Sequence, residues 1–246
     1  MQIQYSFLSP PGRCGYLPEQ TWSLRYEVVR QLNAGEFGGL LQLGWRRFGT
    51  ALFRPECAAC RRCQSIRVPV ESFRPDRSQK RAWKSNTGTV TLTIGAPSVS
   101  AAKLKLHDAF HEFQSETKGW PGHGPKDAAG YEDSFVNNPF PTEEWCYWLG
   151  DRLIGVGYVD PVPVGLSAIY FFYDPDERGR SLGTFNVLNV LAEAAKRALP
   201  HVYLGYYVAG CASLEYKARF QPNEVRDPDT GDWVAFRQLN EPASKP

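Results

Sequence analysis

Apolar and polar positions alternate or cluster in short runs along most of the chain. "EWCYWLGDRLIGVGYVDPV" reads as two strands joined at Gly150-Asp151, an antiparallel hairpin. "LSAIYFFYDP" is a continuous apolar run ending at Asp174-Pro175, as a buried strand does. "TVTLTIG" (89–95), "QSIRVPVESF" and "HVYLGYY" are further strands, with Pro69 predicting an edge position for the second. "LLQLGWRRFGTALFRPEC" is punctuated by glycine and predicts strand, turn and strand. "DPDTGDW" is a turn leading into "VAFRQL".

Three stretches carry helical spacing instead. In "YLPEQTWSLRYEVVRQLNAGEFGG", Trp22, Tyr26 and Val29 share a stripe, Pro18 stands near the start and Gly35 at the stop. In "SAAKLKLHDAFHEFQSETKG" the stripe is Leu106, Phe110 and Phe113. "ERGRSLGTFNVLNVLAEAAKRALP" buries Phe185, Leu188, Leu191, Ala192, Ala195 and Leu199. Ser181 is its expected N-cap, and Pro200 its stop. Residues 119–141, with "GWPGHGPKDAAG" and "NNPFP", read as a long loop or short-helix region.

The order strand, strand, strand, Gly-containing loop, helix, strand is that of N-acetyltransferase-type acyl-transferring folds. The predicted class is therefore α+β, acetyltransferase-like (GNAT-type): a mixed or antiparallel sheet flanked by helices, with an N-terminal cysteine-bearing region. In such folds the helix N-terminus after the third strand offers N–H groups to phosphate. Here that loop is Arg178-Gly179-Arg180-Ser181-Leu182-Gly183. The expected organisation is a Cys/Arg-rich region over 1–85, an acyl-transfer domain over 86–240 and a frayed tail over 241–246.

Charge sharpens this picture. The 246-residue chain carries a formal net charge of only +2. From Arg46 to Lys84, however, 11 Lys/Arg face 3 acids, so an anionic partner is expected at one place. No apolar stretch reaches membrane-spanning length and no secretory signal is visible, so a cytoplasmic protein with reduced thiols is expected. Aromatics make up 13% of the chain, which suits stacking surfaces as well as a core.

In "RPECAACRRCQSIR" the cysteines recur at every third position, Cys57, Cys60 and Cys63, among four arginines. That spacing suits zinc or an iron–sulfur cluster, with Cys14 as a fourth ligand; a thiol cluster without metal is the alternative. His107 and His111 stand four apart on a predicted helix, but no third ligand is evident, and a half-exposed helix explains them.

"GRCGYLP", "GWRRFGTALFRPECAACRRCQSIRVPV", "FRPDRSQKRAWKSN", "YFFYDPDERGRSLGTFNVL" and "YLGYYVAGCASLEYKARFQPNE" together resemble the motifs of the aminoacyl-tRNA–protein transferases of the N-degron pathway. The likeness is to the bacterial aspartate/glutamate leucyltransferase branch and runs from Cys14 to about Glu224. It implies transfer of an aminoacyl group from tRNA to the α-amine of proteins beginning with Asp or Glu, which marks them for proteolysis. In the arginyl branch the first motif is Cys-x-x-Cys; here it is Cys14-Gly15-Tyr16-Leu17. Leu-tRNA is thus favoured over Arg-tRNA, and the departure counts against carrying an iron–sulfur cluster over from the arginyl enzymes, while the Cys cluster stays a candidate zinc or iron–sulfur site. No cofactor is required, because the ester is already activated.

Candidate roles follow. Asp174 is placed as the group that holds the incoming ammonium and takes its proton, with Tyr173, Tyr206 and Tyr207 orienting the ester or its oxyanion. Arg46 and Arg47 are the first candidates to grip the acidic side chain, with Arg54 and Arg67 next. Arg77, Lys80, Arg81 and Lys84, together with Arg178, Arg180, Ser181 and Lys217, are assigned to tRNA. Two other classes are a non-catalytic tRNA-binding or metal-sensing module and a coenzyme A-dependent acetyltransferase.

Overall fold

The computed structural model describes residues 1–122 and 124–237; the expected tail at 241–246 lies outside the described residues. In chain order its elements are β1 (Gln2–Leu8), β2 (Gly12–Arg13), β3 (Thr21–Trp22), β4 (Leu24–Gln31), α1 (Ala34–Gln42), β5 (Arg46–Phe48), β6 (Ala51–Pro55) and β7 (Gln64–Pro69). There follow α2 (Arg77–Asn86), β8 (Val90–Gly95), α3 (Ala101–Lys118), α4 (Ala128–Tyr131), β9 (Glu143–Leu149), β10 (Arg152–Val162) and β11 (Gly165–Tyr173). The last are α5 (Leu182–Lys196), β12 (His201–Tyr207), α6 (Ala212–Glu215), β13 (Glu224–Arg226) and β14 (Trp233–Ala235).

The class is mixed α+β. A small sheet runs β1-β4-β6-β5 and a large one β14-β13-β7-β12-β11-β10-β9-β8. The β9–β10 hairpin turns at Gly150, whose φ of 60° suits glycine. α5 packs on β11 and β12 through Leu182, Phe185, Leu188 and Leu191, part of a core that includes Ile66, Trp145 and Val202.

Two expectations are corrected. The helix expected over 16–39 begins only at Ala34. Leu24–Gln31 is instead a strand paired with β1 and β6, and its Tyr, Val and Val suit that pleat. The true start signal is the capping box Asn33/Glu36, in which each side chain bonds the other's backbone N–H at 2.9 Å. Pro69 does not mark an edge: β7 lies between β13 and β12, and Pro69 is tolerated as its last residue. The expected Cys/Arg-rich region over 1–85 and the expected acyl-transfer domain over 86–240 both contribute to the large sheet. β7 is an interior strand of the large sheet, and α2 packs on α5 through Trp83 and Phe185, ring centroids 5.5 Å apart.

β11 and β12 are parallel but stay in register for only two pairs, Leu166↔Val202 and Ser167↔Tyr203. Beyond them the strands part. β12 then bulges against β7 at Tyr203/Gly205, and Gly205 takes φ +91°. This split is the feature that positions the site.

Candidate active site

The split between β11 and β12 leaves ladder carbonyls without strand partners. Arg46 and Lys217 fill the space. Arg46 Nη2 donates to the Ala168 carbonyl at 3.3 Å, and Lys217 Nζ donates to the Tyr206 carbonyl at 2.9 Å. A Cβ on Gly205 would lie 3.2 Å from Lys217 Nζ and 3.6 Å from Arg46 Nη2, so glycine is what lets both cations approach the bulged strand. Arg46 is only 6% exposed, and its Nη1 is buried without a hydrogen-bond partner. No carboxylate pairs with either cation among the described residues. Burial, and then the neighbouring Arg46 charge, pull Lys217 down to about 7. Two converging cations, one donor unfilled, make a place for an anion.

The adjacent Arg47 faces the other way, as strand alternation requires. Its guanidinium is buried and donates to Asp160 through Nε (2.8 Å) and Nη2, to Thr142 Oγ1 (2.7 Å), to Asn138 Oδ1 (2.7 Å) and to the Gly49 carbonyl (2.7 Å). Asp160 is fully buried; desolvation raises its pKa despite the opposing effect of Arg47. Arg47 is therefore a brace between β5, β10 and the 138–142 loop, not a free grip for substrate. Asp160 is not recognisable from sequence, because nothing in "GYVDPV" tells a buried partner from a turn residue.

Arg67 is also committed. It pairs with Glu224 at 2.7 Å and stacks over Trp233 at 4.2 Å. Arg54 remains available: it lies over the Trp45 ring at 5.0 Å and lines a cavity of about 300 Å³ with Arg61, Arg226 and Tyr206.

Asp174 departs from the expected role of a base. It pairs with Arg152 and caps the short helical turn 175–180 through the Asp176 N–H, at 3.0 Å. Tyr206 is buried, and its hydroxyl donates to the Gly44 carbonyl at 2.9 Å; burial raises its pKa. It braces the wall between the split and the cavity. Tyr207 turns into the main core against Phe236, so it too is structural. Tyr173 packs on Phe110 at the far end of β11, next to Arg178.

The tRNA candidates form two groups. Arg77, Lys80, Arg81 and Lys84 are exposed on α2, which contacts the 175–180 turn carrying Arg178 and Arg180. Arg180 pairs with Glu177 at 2.6 Å. Ser181 stands at the N-cap of α5 in the left-handed region, φ 56°, but its side chain accepts no first-turn N–H, so it is not the side-chain cap expected. Lys217 does not join this surface: it lies in the split.

The cysteines line the same cavity as Arg54. Cys57, Cys60 and Cys63 are on its wall, and Cys14 and Cys211 pack with Tyr206 beside it. Among the described residues, no three His, Cys, Asp or Glu side chains are arranged to hold a metal ion. Burial, then the neighbouring thiols, push Cys63 up to about 12, and Cys14 Sγ already accepts the N–H groups of Tyr16 and Leu17 at 3.4 Å.

Comparisons with known proteins bear on the whole chain. Residues 12–81 match the family described as arginine-tRNA-protein transferase, N terminus, and residues 103–227 match its C terminus. The chain is 34% identical over 226 residues to an aspartate/glutamate leucyltransferase of Campylobacter jejuni, covering 91% of this chain and 93% of that one. It is 36% identical over 221 residues to the enzyme of that name from Nitrosococcus oceani, covering 89% and 91%. Among solved structures, FemX aligns with a TM-score of 0.50 at 9% identity, over 90% of this chain and 85% of that one, a likeness of fold.

Proposed function

The chain belongs to the arginine-tRNA-protein transferase family, and from that premise we propose that it transfers leucine from Leu-tRNA to the α-amine of proteins beginning with Asp or Glu. The added leucine marks those proteins for the N-degron pathway. Its relatives' names favour leucine over arginine. The fold is read as acetyltransferase-like, because the parallel pair β11/β12 parts in the middle of a mixed sheet after two register pairs. Charged tRNA is a cytoplasmic reagent, which places the reaction there. No helix among the described residues is long and apolar enough to cross a membrane.

The observation that carries the assignment of the site is the unpaired, buried Arg46 beside Lys217. Arg46 Nη1 takes the acidic side chain of the acceptor in a charge-assisted bond. The arriving carboxylate gives Lys217 a counter-ion, so Lys217 takes up a proton and joins the clamp. This holds the acceptor's first residue with its α-amine in the split. An α-amine of pKa about 7.7–8.0 is partly neutral near neutral pH and attacks the ester carbonyl carbon; the C–N bond forms as the C–O bond to the ribose breaks, and the proton lost by the nitrogen passes to the departing ribose oxygen. Tyr206 is a positioning residue that keeps β12 and the Gly44 backbone together.

The donor approaches from the other end of the split. The cations of α2 and the 175–180 turn meet the acceptor-stem phosphates, and the α5 N-terminus beyond Ser181 presents N–H groups without a side-chain cap. Arg54 stays a second candidate for the acidic side chain, through the neighbouring cavity. An activated ester needs no cofactor, and no step runs through a metal.

The test offers Leu-tRNA or Arg-tRNA with peptides beginning Asp, Glu or Ala. Transfer of leucine to the first two alone is expected. Arg46→Ala lowers kcat/KM for acidic acceptors by about 10- to 100-fold, the value of a charge-assisted bond. Transfer from Arg-tRNA only, or equal use of the Ala peptide, contradicts the reading.

A further inference from the structure

Resting on that reading, we infer that the aromatic face of the small sheet, exposed at β1 and partly covered at Phe53 by Cys14, Leu17 and Tyr206, is a track for the acceptor polypeptide beyond its acidic first residue. The register draws a straight row across four strands: Phe7 opposite Tyr26, Tyr26 opposite Phe53, and Phe53 opposite Arg46. Directly opposed residues of an antiparallel sheet point to one face, so three rings lead to the cation of the split. Phe7 and Tyr26 stack at 5.0 Å and 15°, Tyr26 and Phe53 lie 6.1 Å apart, and Phe53 is 6.4 Å from Tyr206. Tyr5 extends the row from Phe7 at 6.2 Å.

This face has few reasons to be aromatic unless something covers it. Every residue of β1 is exposed, Tyr5 at 54% and Phe7 at 43%, and β1 has a free edge. β1 also precedes residue 12, where the family match begins. The row carries no cation before Arg46. Arg25 and Glu27 of β4 lie opposite Leu8 and Ser6, in the intervening positions and thus on the other face, and Arg25 is paired with Glu56. A nucleotide chain would find no counter-charges there, whereas it finds them on α2. An extended polypeptide needs only apolar contact and free backbone. Three inter-strand steps of about 4.8 Å separate Phe7 from Arg46, roughly 14 Å, which four extended residues span. The track therefore receives the second to fifth residues of the acceptor, with a preference for apolar side chains.

The experiment compares Asp-first peptides of three and eight residues, the longer with apolar residues at positions three to five. In the wild-type protein kcat/KM for the octapeptide exceeds that for the tripeptide by about tenfold, the scale of one or two newly covered apolar side chains. In the double variant Tyr5→Ser with Phe7→Ser the ratio falls to about one. Both side chains are exposed, so folding is retained; a thermal melt and the milder Phe7→Leu variant check this. A wild-type ratio near one overturns the inference, as does a ratio unchanged in the variant. It is also overturned if the variant's loss appears in the KM for Leu-tRNA, or if sedimentation finds a wild-type dimer that the variant dissolves. Failure of the tripeptide itself would instead remove the Arg46 reading, and the track with it.

Discussion

Lys217→Met tests whether the acceptor carboxylate completes a cation pair. Burial, and then Arg46, hold Lys217 down at about 7. A bound carboxylate restores it toward the ordinary lysine value of about 10.4, so binding takes up a proton wherever the pH lies between the two. The sign follows: affinity is full below about 7 and weakens as pH rises above it. The factor is 1 + 10^(pH − 7), which makes binding about tenfold weaker at pH 8 than at pH 6. The reactive α-amine titrates in the same range and would obscure this. A peptide with a malyl group in place of Asp, carrying a hydroxyl where the amine was, removes that complication. Its competitive inhibition constant against Asp-peptide leucylation should rise about tenfold from pH 6 to pH 8 in the wild type, and stay flat in Lys217→Met. A flat wild-type profile, or the same slope in the variant, refutes the reasoning.

Asp160→Asn leaves the buried Arg47 guanidinium without its charge partner and should cost about 3–5 kcal/mol, seen as a fall in Tm of about 10 °C or more. A shift of a degree or two would mean that Thr142, Asn138 and Gly49 suffice. On α2, replacing Arg77, Lys80, Arg81 and Lys84 by Ala should raise the KM for Leu-tRNA and leave acceptor KM unchanged. The salt slope of tRNA binding should fall by about one for each phosphate that is no longer neutralised. An unchanged salt slope would move the acceptor stem elsewhere on the surface.

Much of this site is written in local pattern. "WRRFG" declares two cations on a strand, and period-two alternation requires that one face each way. Which of them faces the split is not legible locally, because that depends on Asp160, 113 residues away from Arg47. Gly205 in "YLGYY" is a signal that could have located the split: a glycine inside a strand marks a bulge or a close approach, and here it is both. The 16–39 stretch resembles a helix in sequence because Trp22, Tyr26 and Val29 satisfy a 3.6-residue spacing by chance, whereas Trp22 pairs in β3 with β2, and Tyr26 and Val29 suit the β4 strand that β1 and β6 impose. The place of Asp174 at a strand end suggests catalysis, yet a turn before Pro175 and an arginine from β10 claim it. Long-range partners decide such cases, and a single sequence does not state them.

The central claim is that Arg46, in the parting of β11 and β12, reads the acidic first residue. A structure determined with the malyl peptide bound measures this most directly. The account predicts its side-chain carboxylate within about 3 Å of Arg46 Nη1, with Lys217 alongside. A carboxylate seated instead among Arg54, Arg61 and Arg226, with Arg46 untouched, would contradict it.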